Sequence, residues 1–365
     1  MRAPVLHVIP FLWSGAGGVL TRLCEAQRRH GPVAIVTTSR GEQPDWPAYR
    51  TRLRRAGVAH YTIDFYRRGE FWQSASRLAD LLRELKPAVV HAHAGVPCCG
   101  AVVARATSGH RARVIGQMYS WGPDRPEWMN RQDMWGFGET DRVVCSARAY
   151  ADLLVRDGVP ARKLTYLPWG LPLDRLPYRG DVEPADDAPL VGFVGRIEPR
   201  KGQLDLVRAF ARVRRAYPAA RLELVGPIAN ESYTREIRRL VRASDLGEAV
   251  RLTGAVRDVA AYLDRWDLFV SLSSDEGQGL AVLEAMAVGV PVLARRVAGI
   301  ADFLSDGRTG FTVASSSAND VAAGIVRALR SPTRARAVAR RARALVERRY
   351  DWDGTVAAFE RLYRR

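Results

Sequence analysis

Short apolar runs without apolar–polar alternation recur along the chain, and polar stretches with helical spacing separate them. Val5-Leu-His-Val-Ile9, Val33 to Thr37, His60 to Ile63, Val89-Val-His-Ala-His93 and Arg113 to Ser120 read as strands. Continuous runs of this kind suit strands covered on both faces, as in a parallel sheet. Helices are predicted near Leu20 to Arg29, Ala48 to Arg55 and Phe71 to Leu85. This alternation over about 170 residues argues a doubly wound α/β domain. Trp121 to Thr140 shows no clear period and is expected to be irregular; Asp141 to Gly158 resumes strand and helix, and Lys163 to Gly170 closes the domain.

A second α/β pattern opens at Leu190. The stretch from Leu171 to Pro189 mixes Pro, Gly and Asp without periodicity and reads as a linker. The expected organisation is a first domain over residues 1–172, a linker over 173–189 and a second domain over 190–350.

The densest chemistry lies in the second domain. Asp267 to Leu272 is a strand, Leu280, Leu283 and Ala287 repeat at helical spacing, and Pro291 to Ala294 is the next strand. In an open parallel sheet the loop after a strand opens onto the ligand crevice. Gly277 and Gly279 leave that loop without bulky side chains, so N–H groups at the helix start can approach an anion, which the helix dipole also favours. Glu276 sits in the loop and Glu284 on the helix. Carboxylates are poor phosphate ligands but good acceptors for sugar or ribose hydroxyls, so the pattern predicts recognition of a sugar nucleotide. A surface Glu pair is the bland alternative, and a hydrolase with paired carboxylates is another, although nothing fixes the separation it would need.

A second strand–loop–helix unit is Leu190-Val-Gly-Phe-Val-Gly195-Arg196 followed by Lys201-Gly202, with two cations that suit a diphosphate. Leu222-Glu-Leu-Val-Gly226 is a further strand with a glycine turn. Ser14-Gly-Ala-Gly17-Gly18-Val19 is glycine-rich but is neither a dinucleotide fingerprint nor a P-loop.

The net charge of +17 is carried almost wholly by Arg, since Lys occurs only at 86, 163 and 201. GC-rich coding in a bacterium accounts for that bias, and no nucleic-acid-binding motif accompanies it, so no nucleic-acid partner is assigned. A basic surface also attracts anionic lipids, and the Arg-rich stretch from Arg327 to Arg349 leaves peripheral membrane association open. Four cysteines without paired spacing indicate reduced thiols and a cytoplasmic setting. No apolar run approaches the ~20 residues of a membrane span, and no signal-peptide core heads the chain. His91 and His93 share one strand face, but no third ligand stands at a recognisable spacing, and no metal site is assigned. His93, at the strand's C-terminal end, is instead expected to line the crevice. Seven of the nine tryptophans precede residue 170, and exposed ones there would suit an acceptor site.

The run Asp275-Glu-Gly-Gln-Gly-Leu-Ala-Val-Leu-Glu284-Ala-Met-Ala-Val-Gly-Val-Pro-Val resembles the E-x7-E region of family 4 retaining glycosyltransferases, and Gly195-Arg196 with Lys201-Gly202 is similar to a second signature of that family. The resemblance implies the GT-B architecture, two Rossmann-like domains facing a cleft, with helix 351–365 packing back on the first. It implies that Glu276 contacts the transferred sugar and Glu284 the ribose. Arg196, Lys201 and the backbone around Gly277, Gln278, Gly279 and Leu280 would hold the diphosphate, with Gly17, Gly18, Gly195 and Gly226 also near the donor. His93, Tyr119 and Trp121 would lie on the acceptor side. It further implies transfer from a nucleotide-sugar, UDP-linked before GDP-linked, with retention and with no metal or other cofactor, to an envelope glycan, lipid or secondary metabolite. Tyr119 stands where many relatives carry a His, and Trp169 where they carry an Asn. Those departures keep open a non-catalytic donor-binding module; a sugar-nucleotide epimerase or a phosphorylase is the other rival.

Overall fold

The structure, a computed structural model, describes residues 4–12, 14–38, 46–65, 69–120, 126–180 and 188–364. It divides into two compact units, Met1–Trp169 with Asp353–Arg365, and Gly170–Trp352.

The first unit runs β1 (Val5–Val8), α1 (Ser14–Arg28), β2 (Val33–Thr37), α2 (Trp46–Arg55), β3 (Ala59–Thr62), α3 (Phe71–Leu85), β4 (Val89–His93), α4 (Gly95–Ser108), β5 (Arg113–Met118), α5 (Glu127–Glu139), β6 (Arg142–Cys145), α6 (Arg148–Arg156) and β7 (Leu164–Tyr166). Among the described residues these strands form one parallel sheet in the order β3-β2-β1-β4-β5-β6-β7. β2 and β4 are buried at every position, as the unalternating apolar runs require.

The second unit holds β8 (Leu190–Val194), α7 (Gln203–Val213), β9 (Arg221–Val225), α8 (Glu231–Ala243), β10 (Val250–Gly254), α9 (Ala260–Leu263), β11 (Leu268–Ser271), α10 (Leu280–Val288), β12 (Val292–Arg295), α11 (Ala298–Ala301), β13 (Phe311–Val313), α12 (Ala318–Leu329) and α13 (Pro332–Arg349). Its parallel sheet has the order β10-β9-β8-β11-β12-β13. Gly192 in β8 leaves room for the buried Trp266 indole, which a Cβ there would meet at 1.9 Å. The last helix, α14 (Trp352–Arg364), belongs to the first unit from Asp353 on. Its Phe359 is fully buried against Trp169 and His91, and Arg113 donates to Leu362 O at 2.8 Å.

Three local expectations need revision. Helix α1 begins at Ser14, so Gly17 and Gly18 lie in its first turns and not in a loop. A Cβ on Gly17 would come within 2.8 Å of the Leu12 carbonyl carbon, and the glycine lets the helix close on the chain that leads into it. Residues 127–139 form helix α5 and are not irregular. The start of the presumed linker is packed: Leu171 and Leu176 are buried, and Leu171 N–H donates to Tyr350 O at 2.7 Å within the second unit.

Among the described residues no helix is long and apolar enough to cross a membrane. Helix α13 is amphipathic as its sequence suggests, but Ala335, Val338, Ala339, Ala342 and Val346 are spent on the core of the second unit; Arg334, Arg340, Arg341, Arg348 and Arg349 are exposed, whereas Arg343 turns inward to the Leu176 and Ala287 carbonyls.

Candidate functional site

β8 and β11 are neighbours at the centre of the second sheet, so the loops leaving their C-terminal ends adjoin. Gly195 and Gly226 make the turns after β8 and β9, both at positive φ. A Cβ on Gly226 would sit 2.0 Å from Gly195 O, so only glycine allows the two turns to touch. The β8 loop then tightens into a short turn over Pro199–Lys201 that ends at Gly202, φ +73°. There a Cβ would meet Leu272 O at 2.8 Å. That approach presses Lys201 onto the loop after β11.

Lys201 Nζ donates to Glu276 Oε1 at 2.6 Å, and Ser273 Oγ donates to the same oxygen at 2.7 Å. Arg196 pairs with Glu198 at 2.9 Å with 17% of each side chain exposed. Burial pulls the Arg196 guanidinium below its ordinary pKa; Glu198 opposes that fall, as does Glu276, which is near enough to be felt. Arg200, beside Lys201 in the same turn, pairs with Asp275 at 3.3 Å. Arg196, Lys201 and Glu276 therefore come together from two loops distant in sequence.

Helix α10 begins after Gly279, whose φ of +79° turns the chain into it. Val282 and Leu283 both donate to Gly279 O, so the amides ahead of them, including Leu280, head the helix without an intrahelical acceptor. Gly277 and Gln278 complete the loop before that N-terminus, and Glu284 lies half-buried on the helix's second turn. Sequence reasoning missed Gly299. Its N–H donates to Glu276 O at 3.0 Å, and a Cβ would meet Gln278 N, Gln278 Cα and Glu276 O at 2.6 Å each. It braces the loop from behind, and no local sequence signal announces it.

In the first unit, His93 does not line a crevice: it is fully buried. Its Nδ1 meets Tyr119 OH at 2.9 Å and its Nε2 meets His7 Nδ1 at 3.1 Å. Burial, then the neighbouring rings His91 and His7, holds its pKa well below the ordinary value; burial likewise takes His7 down to about 4. Burial pushes the Tyr119 phenol well above its usual value, so it stays protonated and cannot act as a base. Tyr119 also stacks on Trp169, with ring centroids 6.3 Å apart at 7°. The two departures from the family pattern are thus packed against each other. Trp121 lies outside the described residues. Trp128 and Trp135, two turns apart on α5, are 59% and 49% exposed.

The family "Glycosyltransferase Family 4" matches residues 13–175, and "Glycosyl transferases group 1" matches residues 174–345. Glycogen synthase of Mycobacterium tuberculosis is 26% identical over 298 residues, 77% of this chain and 69% of that protein. D-inositol 3-phosphate glycosyltransferase 2 of Catenulispora acidiphila is 33% identical over 243 residues, 62% of this chain and 56% of that one. Among solved structures, Anabaena HepE in complex with UDP and glucose superposes with a TM-score of 0.86 at 18% identity over 99% of both chains. Sucrose-phosphate synthase of Thermosynechococcus elongatus gives 0.82 at 22% identity, covering 100% of this chain and 98% of that one. At such identities the likeness establishes the fold, the GT-B arrangement of two parallel-sheet α/β units.

Proposed function

Because the chain belongs to the family 4 glycosyltransferases, we propose that it transfers a sugar from a UDP-sugar to a glycan, lipid or secondary-metabolite acceptor, with retention of configuration and without a metal at the donor. The observation that carries this reading is the Lys201–Glu276 pair at 2.6 Å beside the head of α10.

In this reading the donor's diphosphate lies over the amides of Gly277, Gln278, Gly279 and Leu280, where the helix dipole and close backbone favour an anion. Lys201 exchanges Glu276 for a phosphate oxygen and Arg196 supplies a second cation. Together they stabilise the charge that grows on the leaving diphosphate as the sugar–oxygen bond breaks. Glu276, released by Lys201, accepts a hydroxyl of the transferred sugar, and Glu284 accepts from the ribose. The departing oxygen takes the acceptor's proton, so no separate base is needed, in keeping with a half-buried, neutral Tyr119. A UDP-linked donor is favoured over a GDP-linked one by the UDP in the HepE complex. The exposed Trp128 and Trp135 offer ring faces for a sugar or apolar acceptor.

The test is titration of UDP, GDP and ADP by calorimetry with chelator present, followed by transfer assays on Glu276→Gln and Lys201→Met. UDP is expected to bind selectively, and each variant to lose on the order of 10²-fold in rate while keeping its fold. Near-normal transfer by either variant, or no nucleotide binding by the parent chain, overturns the assignment.

A further inference from the structure

We propose that His7, His91 and His93 hold a divalent transition metal, zinc being the expected occupant, as a structural centre in the first unit that takes no part in sugar transfer. β1 and β4 pair in parallel with His7 opposite His91, and His93 lies two residues further along, so all three rings project from one face of the sheet. The three are fully buried, and one ring nitrogen of each lies within 4.8 Å of the others. His7 Nδ1 and His93 Nε2 are already 3.1 Å apart. Zn–N bonds of about 2.0–2.1 Å in a tetrahedron place their nitrogens roughly 3.4 Å apart. One edge is therefore in place, and the widest pair closes by at most about 1.4 Å.

The outer nitrogens are held as metal-bound imidazoles require. His7 Nε2 meets Gln27 Oε1 at 2.8 Å, His93 Nδ1 meets Tyr119 OH at 2.9 Å, and His91 Nδ1 meets Tyr363 OH at 2.6 Å. Each of these oxygens can accept the ring N–H, which leaves the inner nitrogen bare. The inner side carries two orphans, the His91 Nε2 and the Gln117 Oε1, both buried without a hydrogen-bond partner. Gln117 is the β5 register mate of His93, and its side chain lies near enough to His91 to act on that ring as a hydrogen-bond acceptor that opposes the fall in its basicity, although neither the His91 Nε2 nor the Gln117 Oε1 has a partner at full hydrogen-bond geometry. With the His91 proton on Nδ1, donating to Tyr363, the His91 Nε2 and the Gln117 Oε1 are both acceptors that a cation satisfies; with the proton on Nε2 the ring donates toward Gln117 instead, and metal binding selects the first tautomer. Three imidazoles and an amide oxygen, with no carboxylate or thiolate, select zinc or its neighbours over magnesium or calcium. A cavity of about 410 Å³ is lined in part by Gln27 and Tyr363, the residues that hold the outer nitrogens of His7 and His91.

The experiment uses full-length, untagged protein from zinc-supplemented cells. Elemental analysis after gel filtration is expected to give about one zinc per chain, and chelation to lower the melting temperature until zinc is restored. Co²⁺ added to the stripped protein should give the visible bands of a tetrahedral site, absent from His91→Phe. Zinc at a small fraction of the chain concentration, with no cobalt bands in the parent chain, overturns the proposal. So does metal binding that His91→Phe leaves unchanged, since the ion then sits elsewhere. UDP binding by the second unit is read separately and does not decide this result.

Discussion

Adding one methyl group at Gly299 tests whether the proposed donor loop, Glu276 to Gly279, must be placed to within an ångström. The new Cβ would lie 2.6 Å from Glu276 O, Gln278 N and Gln278 Cα, whereas ordinary contact begins at 3.4 Å, so the atoms must separate by at least 0.8 Å (3.4 − 2.6). All three obstacles are backbone, so no side-chain rotation relieves them. The next residue, Ile300, is fully buried and fixes α11, which leaves the loop to move. Moving Glu276 by that amount lengthens its 2.6 Å contact with Lys201 by up to 0.8 Å, to at most about 3.4 Å, past the ordinary N–H···O length. Misplacement on this scale is expected to cost on the order of 10- to 100-fold in transfer rate and to weaken UDP binding. Overpacking is expected to destabilise the unit by only about 1–3 kcal/mol, so the assay is run well below the melting temperature. Gly247→Ala is the control: nothing lies within 4 Å of a Cβ there, and stability should change by less than about 0.5 kcal/mol. Gly299→Ala with parental UDP affinity and parental rate would refute the claim that this glycine sets the loop.

Three further outcomes follow from burial. Trp266→Phe removes the indole N–H that donates to Glu223 at 2.9 Å while leaving Arg265 at 2.6 Å; a loss of about 1–3 kcal/mol is expected by urea denaturation, and unchanged stability would contradict the bond's role. Phe359→Ala empties a fully buried site beside Trp169 and His91 and is expected to cost about 3–5 kcal/mol, in the unfolding of the first unit and not in a UDP-stabilised transition. The thiols of Cys24, Cys98, Cys99 and Cys145 are free and buried, and burial pushes Cys99 and Cys145 up to about 12. A thiol reagent at neutral pH is expected to react fully only after denaturation, and rapid titration of the native protein would show the sites to be open.

What the sequence disclosed was what it keeps contiguous. Strand, glycines and carboxylates around Glu276 fall in one short stretch, so both the strand–loop–helix unit and its chemistry are readable locally. Gly299 is not, because its importance lies in a tertiary approach to a loop that precedes it in the chain. His7 was missed as the partner of His91 and His93 because only the strand order, with β4 beside β1, brings it alongside them. Helix α5 was hidden by its own glycines. Gly136 reads as a helix breaker, yet a Cβ there would lie 2.7 Å from Cys99 Sγ and 2.9 Å from Gly95 O, so it is the contact that lets α5 lie against α4. Gly17 was misread for the same reason. A glycine in a sequence signals either a free backbone or a close one, and only packing tells which.

The same distinction between free and close groups applies to the proposed donor site. Lys201 and Glu276 keep 14% and 17% of their side chains exposed, so both are mostly withdrawn from water and neither is sealed. A fully buried pair would lose several kcal/mol when a ligand separated it, because each charge would be stranded. At this site each partner has a successor in the proposed reaction: a phosphate oxygen for Lys201 and a sugar hydroxyl for Glu276. Ser273 Oγ, which also donates to Glu276, is free to keep that bond in the proposed exchange. In the proposed reaction the ion pair is a placeholder that holds both side chains at the head of α10 until the donor replaces it. It follows that a variant lacking only one partner, such as Lys201→Met, should lose more donor affinity than transfer of a single hydrogen bond explains, because Glu276 then faces the diphosphate unneutralised. Double replacement, Lys201→Met with Glu276→Gln, should recover part of the UDP affinity while transfer stays low. Recovery of neither, with the fold intact, would mean that the pair does not share one site with the diphosphate.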